Sequence, residues 1–574
     1  MNVLMKQLIL FTILFSANLS YSQWKENTTP NYDELIEIYR DLDAQHDEIE
    51  LYEMGPSDFG LPIYVVVING AGDSTATFEK ARANTTLLIN NAIHPGEPDG
   101  INACLIWIDE WIEKGKPTDI PVVAIIPAYN VGGMMNRSGT SRANQDGPEE
   151  YGFRGNAQNL DLNRDFIKMD SKNMFTFAKI YHALNPDVFI DTHVSNGADY
   201  QYTMTYIASV KERMAPSLAY LMHDEMIPSL KESSSEKGFD LTPYVHTRKS
   251  VPEDGIEVFN DLPRYAMGYA ALFNAISFTT ETHMLKPFPQ RVEATYVFLC
   301  STISWMREHT EAIELARKEA FEWDANLNYF LYNYTLTNDS TDLLFKGFEH
   351  SYPTSQVTGE SRLKYHRDRP FEKNVPYFNK YEAKDSIKIP PYIYLGGQAT
   401  EVIERLQANH IEYKIMEEED HVYVGKHQLI SFESGNSPYE GHYLHRNVKF
   451  ALQPGYQVFK KGDVVIPMSQ QNRRFIMSVL TPDAPDSYFA WNYFDSYVQQ
   501  KEYFSPYVFE DVAAKMLEND DHLKKEFEIK KETDKEFRES TWMQLYFLYQ
   551  RSPFYEPTHN ILPVAFIEPL EIKE

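Results

Sequence analysis

His94 is one of seventeen histidines in a chain of 574 residues, and it stands three places before a carboxylate in Asn90-Asn91-Ala92-Ile93-His94-Pro95-Gly96-Glu97. An imidazole and a carboxylate at that separation can share one divalent ion. Zinc in hydrolytic sites takes three protein ligands, two His and one Glu among the established sets, and keeps a fourth position for water. His193 is the candidate third ligand. A lone His-x-x-Glu is expected by chance in a chain with 83 acidic residues, so the placement of the three has to carry the reading.

Each candidate follows an apolar run of strand length. His94 comes after residues 85–93, and His193 lies three places beyond Pro186-Asp187-Val188-Phe189-Ile190, so both imidazoles can point into one crevice. A metal-activated water still needs a base. Glu281 closes a third run, Ala275-Ile276-Ser277-Phe278-Thr279-Thr280, where an ordinary solvated strand end is the plain alternative. His283 is a further possible ligand on the same face as Glu281. Residues 154–166 add Arg154, Arg164 and several amides. An arginine forks a carboxylate bidentately, and another can steady an oxyanion; a surface salt-bridge loop is the alternative.

The elements that must position these groups alternate. A further strand signature lies at residues 121–127, and residues 100–112 place Ile101, Leu105, Ile108 and Ile112 on one helical face, with Asp99 as the expected N-cap. This order predicts a doubly wound α/β sheet, with ligands outside the carboxyl ends of its strands. A charged helical pattern at about residues 290–320 closes the first domain. Residues 335–374, rich in turn and charged residues, read as a connector. Strand-like pieces at 392–395 and 463–467, a helix-like piece at 399–408 and a charged helical run at 510–531 follow. The expected division is residues 1–22 as an export signal, 23–320 as the catalytic domain, 321–380 as the connector and 381–574 as a C-terminal domain of unassigned role. Trp491, Tyr493, Phe494 and Tyr497 read as core rather than as a binding platform.

A net charge of −29 disfavours nucleic acid and anionic membrane surfaces as partners. Forty-three per cent hydrophobic residues place the chain among folded proteins. Lys6, the apolar run at 8–15 and the small residues to Ser22 form a secretory signal pattern too short to span a membrane. No cysteine near residue 23 suggests a lipid anchor, so a secreted or periplasmic protein is expected. Cys104 and Cys300 sit in apolar helical patterns and read as two buried free thiols.

His-Pro-Gly-Glu at 94–97, Asp-Leu-Asn-Arg at 161–164, the His193 strand and the Glu281 strand, in this order, resemble zinc carboxypeptidases of the carboxypeptidase A type, as a distant branch. The resemblance covers roughly residues 30–320. It implies a mixed, mostly parallel doubly wound sheet with helices on both faces, followed by a smaller C-terminal α+β domain. It also implies one zinc ion held by His94, Glu97 and His193, with Glu281 as general base. Asn163 and Arg164 would take the substrate's C-terminal carboxylate, and Asp161 would accept a hydrogen bond from His94.

The chain departs from the family in three places. Arg154 is preferred to Arg142 as the oxyanion arginine because Gly-Asn follows it, though at a shorter spacing than in the pancreatic enzymes. Tyr265 and Tyr269 both compete for the mobile tyrosine's role, and the family's Asn-Pro-Asp-Gly turn is Asn130-Val131-Gly132-Gly133 here. Arg264 reads as a surface arginine, with an acidic substrate side chain as its other possible partner. The function expected is an exported metallocarboxypeptidase acting on peptides or proteins. An N-acyl amino acid deacylase and a non-catalytic peptide-binding descendant are the alternatives.

Overall fold

Every residue of Thr86–Asn90 and Val122–Ile126 is buried, as strands covered on both faces require. The computed structural model describes residues 26–567, so the expected export signal at 1–22 lies outside the described residues. The first sheet is formed by β1 (Ile49–Pro56), β2 (Pro62–Ile68), β3 (Thr86–Asn90), β4 (Val122–Ile126), β5 (Val188–Ser195), β6 (Met204–Ala208) and β7 (Leu241–Pro243). Two short strands, β8 (His246–Thr247) and β9 (Ile256–Glu257), leave for another sheet before β10 (Ile276–His283) completes the first.

The strand order is β1-β2-β4-β3-β5-β10-β6-β7. The pairs β4–β3, β3–β5, β5–β10 and β6–β7 are parallel; the pairs β1–β2, β2–β4 and β10–β6 are antiparallel. The fold is therefore a mixed α/β sheet with a parallel centre, flanked by helices. Helix Asp99–Glu113 packs on helix Phe288–Glu308, and Lys172–Leu184 packs on Ser74–Ala83.

The first of these helices corrects an expected cap. Pro98, not Asp99, holds the N-cap position, and no side chain caps it. The buried Asp99 carboxylate instead accepts from Thr282 Oγ1 at 2.5 Å and Arg291 Nε at 3.2 Å, tying the helix to the end of β10. The helical pattern at 290–320 is two helices, Phe288–Glu308 and Thr310–Ala325, separated at His309. The charged run at 510–531 is likewise two, because the Asp520 side chain accepts from the amides of His522 and Leu523 and starts a second helix.

The expected connector is regular β structure. β11 (Tyr329–Leu336), β12 (Thr341–Ser351) and β13 (Lys364–Phe378) lie in it and β14 (Tyr381–Lys388) follows it, and β12–β13 is a hairpin whose far end pairs with β9. Most of β13 is exposed, so no buried face imposed an alternating pattern on its sequence. Beyond it, β15 (Tyr392–Leu395), β16 (Lys414–Ile415), β17 (Asp420–Ser434), β18 (His445–Phe459), β19 (Val464–Pro467) and β20 (Ile561–Ile567) form a six-stranded sheet in the order β16-β19-β15-β20-β17-β18.

Ile393, Phe475 and Trp491 belong to the same continuous apolar cluster as Leu35 and Ile89, so the C-terminal part shares its core with the first sheet. Trp491 and Phe494 are buried, as expected. Four helices between Pro506 and Tyr549 enclose a small core of their own around Phe509, Phe527, Phe537 and Phe547. Both cysteines are free; Cys104 is buried, whereas Cys300 is only half-buried. Among the described residues, no helix is long and apolar enough to cross a membrane.

Candidate metal centre

The chain leaves β3 at Asn90 and enters the His94 motif through Ala92, a non-glycine residue at φ +59°. Such a conformation costs about 1–2 kcal/mol, and here the Asn130 amide, donating to the Ala92 carbonyl at 3.1 Å, helps to hold it. A tight turn follows, closed by the Glu97 amide on the His94 carbonyl at 2.8 Å. It brings Glu97 Oε1 to 3.3 Å from His94 Nδ1 before helix Asp99–Glu113 begins. Asn130 supports the turn from below by donating to the carbonyls of Ile93 and Arg154.

β5 and β10 deliver the other two groups. His193 and Glu281 are register partners on these adjacent parallel strands. His193 Nδ1 lies 3.1 Å from His94 Nδ1 and 3.0 Å from Glu97 Oε2. One ligand atom from each of His94, Glu97 and His193 falls within 4.8 Å of the others, and all three residues are buried.

The donor chemistry fits a cation at that point. His94 Nε2 faces Asp161 Oδ1 at 2.9 Å and His193 Nε2 faces Asp191 Oδ2 at 2.6 Å. With each Nε2–H donating to a carboxylate, both Nδ1 lone pairs converge on one place. Two nitrogens on a tetrahedral zinc stand roughly 3.3 Å apart, close to the spacing found. Burial alone would lower the His193 pKa, but Asp191 and Glu97 outweigh it and raise it well above the usual value. The surroundings thus favour positive charge there. Burial would likewise raise Glu97, yet Arg142, His94 and His193 hold it well below the usual carboxylate range.

Sequence reasoning passed over two partners. Asp191, two residues before His193 on β5, lies on the same face of the strand and faces that ring's Nε2. Arg142 was set aside for Arg154, yet Arg142 Nη2 bonds Glu97 Oε1 at 2.7 Å. Its guanidinium crosses directly over Gly96, where an added Cβ would come within 2.3 Å of Nε. A side chain at position 96 would have to displace Arg142 from Glu97.

Arg154 also reaches the cluster. Its Nη1 lies 3.6 Å from Glu97 Oε1, while Nε donates to Asp161 Oδ2 at 3.0 Å. Asp161 is a hub: it also accepts from the Asn163 amide at 2.9 Å and lies 3.8 Å from Arg164. Burial would raise its pKa, but His94, Arg154 and Arg164 keep it well below the carboxylate range. Glu281 goes the other way. Burial first, then the nearby Glu97 and Asp191, push it up to about 8 against the pull of His193 and Arg154.

A cavity of about 200 Å³ opens on this cluster, lined by Arg154, Asn163, Arg164, Tyr265 and Glu281, with Ile207, Phe259 and Met267 as apolar wall. The Arg164 guanidinium lies 4.6 Å over the Tyr265 ring. Tyr269 does not reach the cavity: it is fully buried, and its hydroxyl donates to Asn409 Oδ1 at 2.5 Å. One helical turn after Tyr265, it faces the core instead.

Arg264 is neither at the surface nor free for a substrate, being buried with Nε on Asp486 Oδ1 at 2.8 Å. His283 is not among the clustered ligand atoms; it stacks on Tyr200 at 4.2 Å, with Asp199 at 3.4 Å. Tyr244 and Phe259 line the cavity without having been singled out, and no sequence signal marked them.

No family model and no curated protein matches the chain. Among solved structures, it is similar to a metallo-carboxypeptidase from Burkholderia cenocepacia at 16% identity, covering 46% of this chain and 67% of that one, TM-score 0.35. It is also similar to carboxypeptidase A from Helicoverpa armigera at 15% identity, covering 54% and 81%, TM-score 0.36. A third is a metallo-carboxypeptidase from Pseudomonas aeruginosa at 14% identity, covering 49% and 68%, TM-score 0.35. Likenesses at that level carry no weight for activity, so function is read from the side chains.

Proposed function

We propose that this chain is an exported zinc metallocarboxypeptidase that removes residues from the C-terminus of peptides. The observation that supports this most is the convergence of His94, Glu97 and His193 on one point beside the half-buried Glu281, with Asn163 and Arg164 on the same cavity. Two imidazoles and a carboxylate suit zinc better than the hard cations, which prefer oxygen ligands alone. When bound, zinc supplies Lewis acidity, acidifying a water and polarising the scissile carbonyl.

The geometry supports the following roles for the protein's own residues. Glu281 takes the proton of the attacking water and passes it to the leaving amine; its burial makes it a stronger base than a solvated carboxylate. Arg154 stands beside the cluster to meet the charge that develops on the carbonyl oxygen. Asn163 and Arg164 receive the terminal carboxylate, with Arg164 steadied by the Tyr265 ring. The wall of Ile207, Phe259 and Met267 receives the last side chain. The signal pattern before residue 23 supports export.

Mass-spectrometric product analysis on a mixed peptide library tests the reading. Loss of single C-terminal residues is expected, abolished in Glu281→Gln while zinc content stays unchanged. Internal cleavage, release of acyl groups only, or wild-type turnover by Glu281→Gln would overturn it.

A further inference from the structure

We infer that the C-terminal part of the chain braces the segment that carries the substrate-carboxylate residues, with Glu440 as a positioning residue for Asp161–Arg164; this rests on the carboxypeptidase reading above. Glu440 lies in the hairpin turn Tyr439-Glu440-Gly441-His442 between β17 and β18. The amides and carbonyls of Tyr439 and His442 bond each other at 2.7 and 3.1 Å, and the two central residues have φ +49° and +84°. This is the two-residue turn with both central residues left-handed, which favours Asn or Gly at its first central position. Glutamate is a poor choice for the turn itself. Its side chain does something else: Oε2 accepts the Asp161 backbone N–H at 2.7 Å, across 279 positions of sequence.

That amide belongs to the residue that holds His94, Arg154 and the Asn163 amide together. A carboxylate acceptor makes the bond charge-assisted, roughly twice as strong as a neutral one. The same C-terminal part grips the far end of the segment. His442 Nε2 meets Asp170 Oδ2 at 2.8 Å, and Arg405 Nε donates to the Lys168 carbonyl at 2.6 Å. The stretch carrying Asn163 and Arg164 is therefore pinned at both ends from outside the first sheet. Glu440 is not among the residues lining the cavity; it acts through the Asp161 amide it accepts from.

Full-length Glu440→Asn and Glu440→Gln test this. Asparagine suits the turn but is one methylene too short for the Asp161 amide, whereas glutamine keeps both reach and acceptor. Glu440→Asn is expected to raise KM for a blocked dipeptide with a free C-terminal carboxylate about tenfold, with kcat within about twofold. Zinc content and thermal stability should stay at wild-type levels. Glu440→Gln should lie within about threefold of wild type. Amide hydrogen exchange at Asp161 should accelerate in Glu440→Asn and stay slow in Glu440→Gln.

An unchanged KM or unchanged Asp161 exchange in Glu440→Asn overturns the proposal, as does a loss confined to kcat or to zinc. If the wild-type chain releases no C-terminal residue, the carboxypeptidase reading fails, and the exchange comparison alone decides whether Glu440 holds the segment.

Discussion

Replacing Asp191 by Asn should weaken zinc binding more than the same change at Asp161, although both carboxylates face the Nε2 of a histidine in the candidate metal centre. Removing a partner of this kind typically lowers metal affinity about 10–100-fold. The structure ranks the two within that range. Asp191 is fully buried, and its bond to His193 is 2.6 Å long, so solvent screens none of its charge. Asp161 holds His94 at 2.9 Å with its side chain 12% exposed, and it shares its charge with Arg154 and Arg164.

Asp191→Asn is therefore expected near the upper end, about 100-fold or about 2.7 kcal/mol, and Asp161→Asn near the lower, about tenfold or about 1.4 kcal/mol. The asparagine at 191 keeps the side chain's shape but can present N–H to His193 Nε2, which would put the ring proton on Nδ1, where the ligand lone pair belongs. Competition between metal-free protein and a chromogenic chelator at neutral pH measures both constants. Melting of the metal-free variants checks that the fold is kept. Equal losses, the reverse order, or a loss at Asp191 of less than about threefold would refute the assignment of these carboxylates.

Glu281, pushed up to about 8, should carry a proton in the metal-free protein at neutral pH, and a nearby dication should favour the carboxylate and lower that value. Difference infrared spectroscopy should show a protonated carboxyl band that disappears on adding zinc and is absent from Glu281→Gln; a carboxylate already ionised without metal would contradict this. His427 is buried with Nδ1 on the Val564 carbonyl at 2.9 Å and no partner for Nε2, and burial holds it down at about 4. The native ring is neutral while the unfolded ring protonates near 6.5, so stability should fall as pH drops from 6.5 to about 4, by about 1.4 kcal/mol per unit for this residue. His427→Asn should reduce the slope of urea-unfolding free energy against pH by one proton; an unchanged slope would count against it. Asp486→Ala leaves the buried Arg264 charge unpaired and should lower stability to urea by about 3–5 kcal/mol, with zinc affinity unchanged.

Legibility in the sequence followed burial. The runs before His94, His193 and Glu281 are continuous because their strands are covered on both faces, and such strands admit few polar residues. Asp99 departs from the local rule that an acid before the first helical turn caps it, because Thr282 and Arg291, nearly two hundred positions away, both donate to its Oδ2. β12 and β13 were missed because a hairpin that buries little leaves no period to find. Tyr265 and Tyr269, one helical turn apart, looked equivalent; only the packing of their helix separates a cavity residue from a core one.

The sequence by itself determined which side chains are candidates for the chemistry, since two imidazoles and two carboxylates at the ends of apolar strands are local features of composition and spacing. Tertiary structure alone decided who supports them: Asp191 for His193, Arg142 for Glu97, and Glu440 for Asp161 across 279 positions. Hydrogen-bond partners are chosen by distances of about 3 Å in the folded chain, and local pattern does not encode distances between segments that meet only on folding.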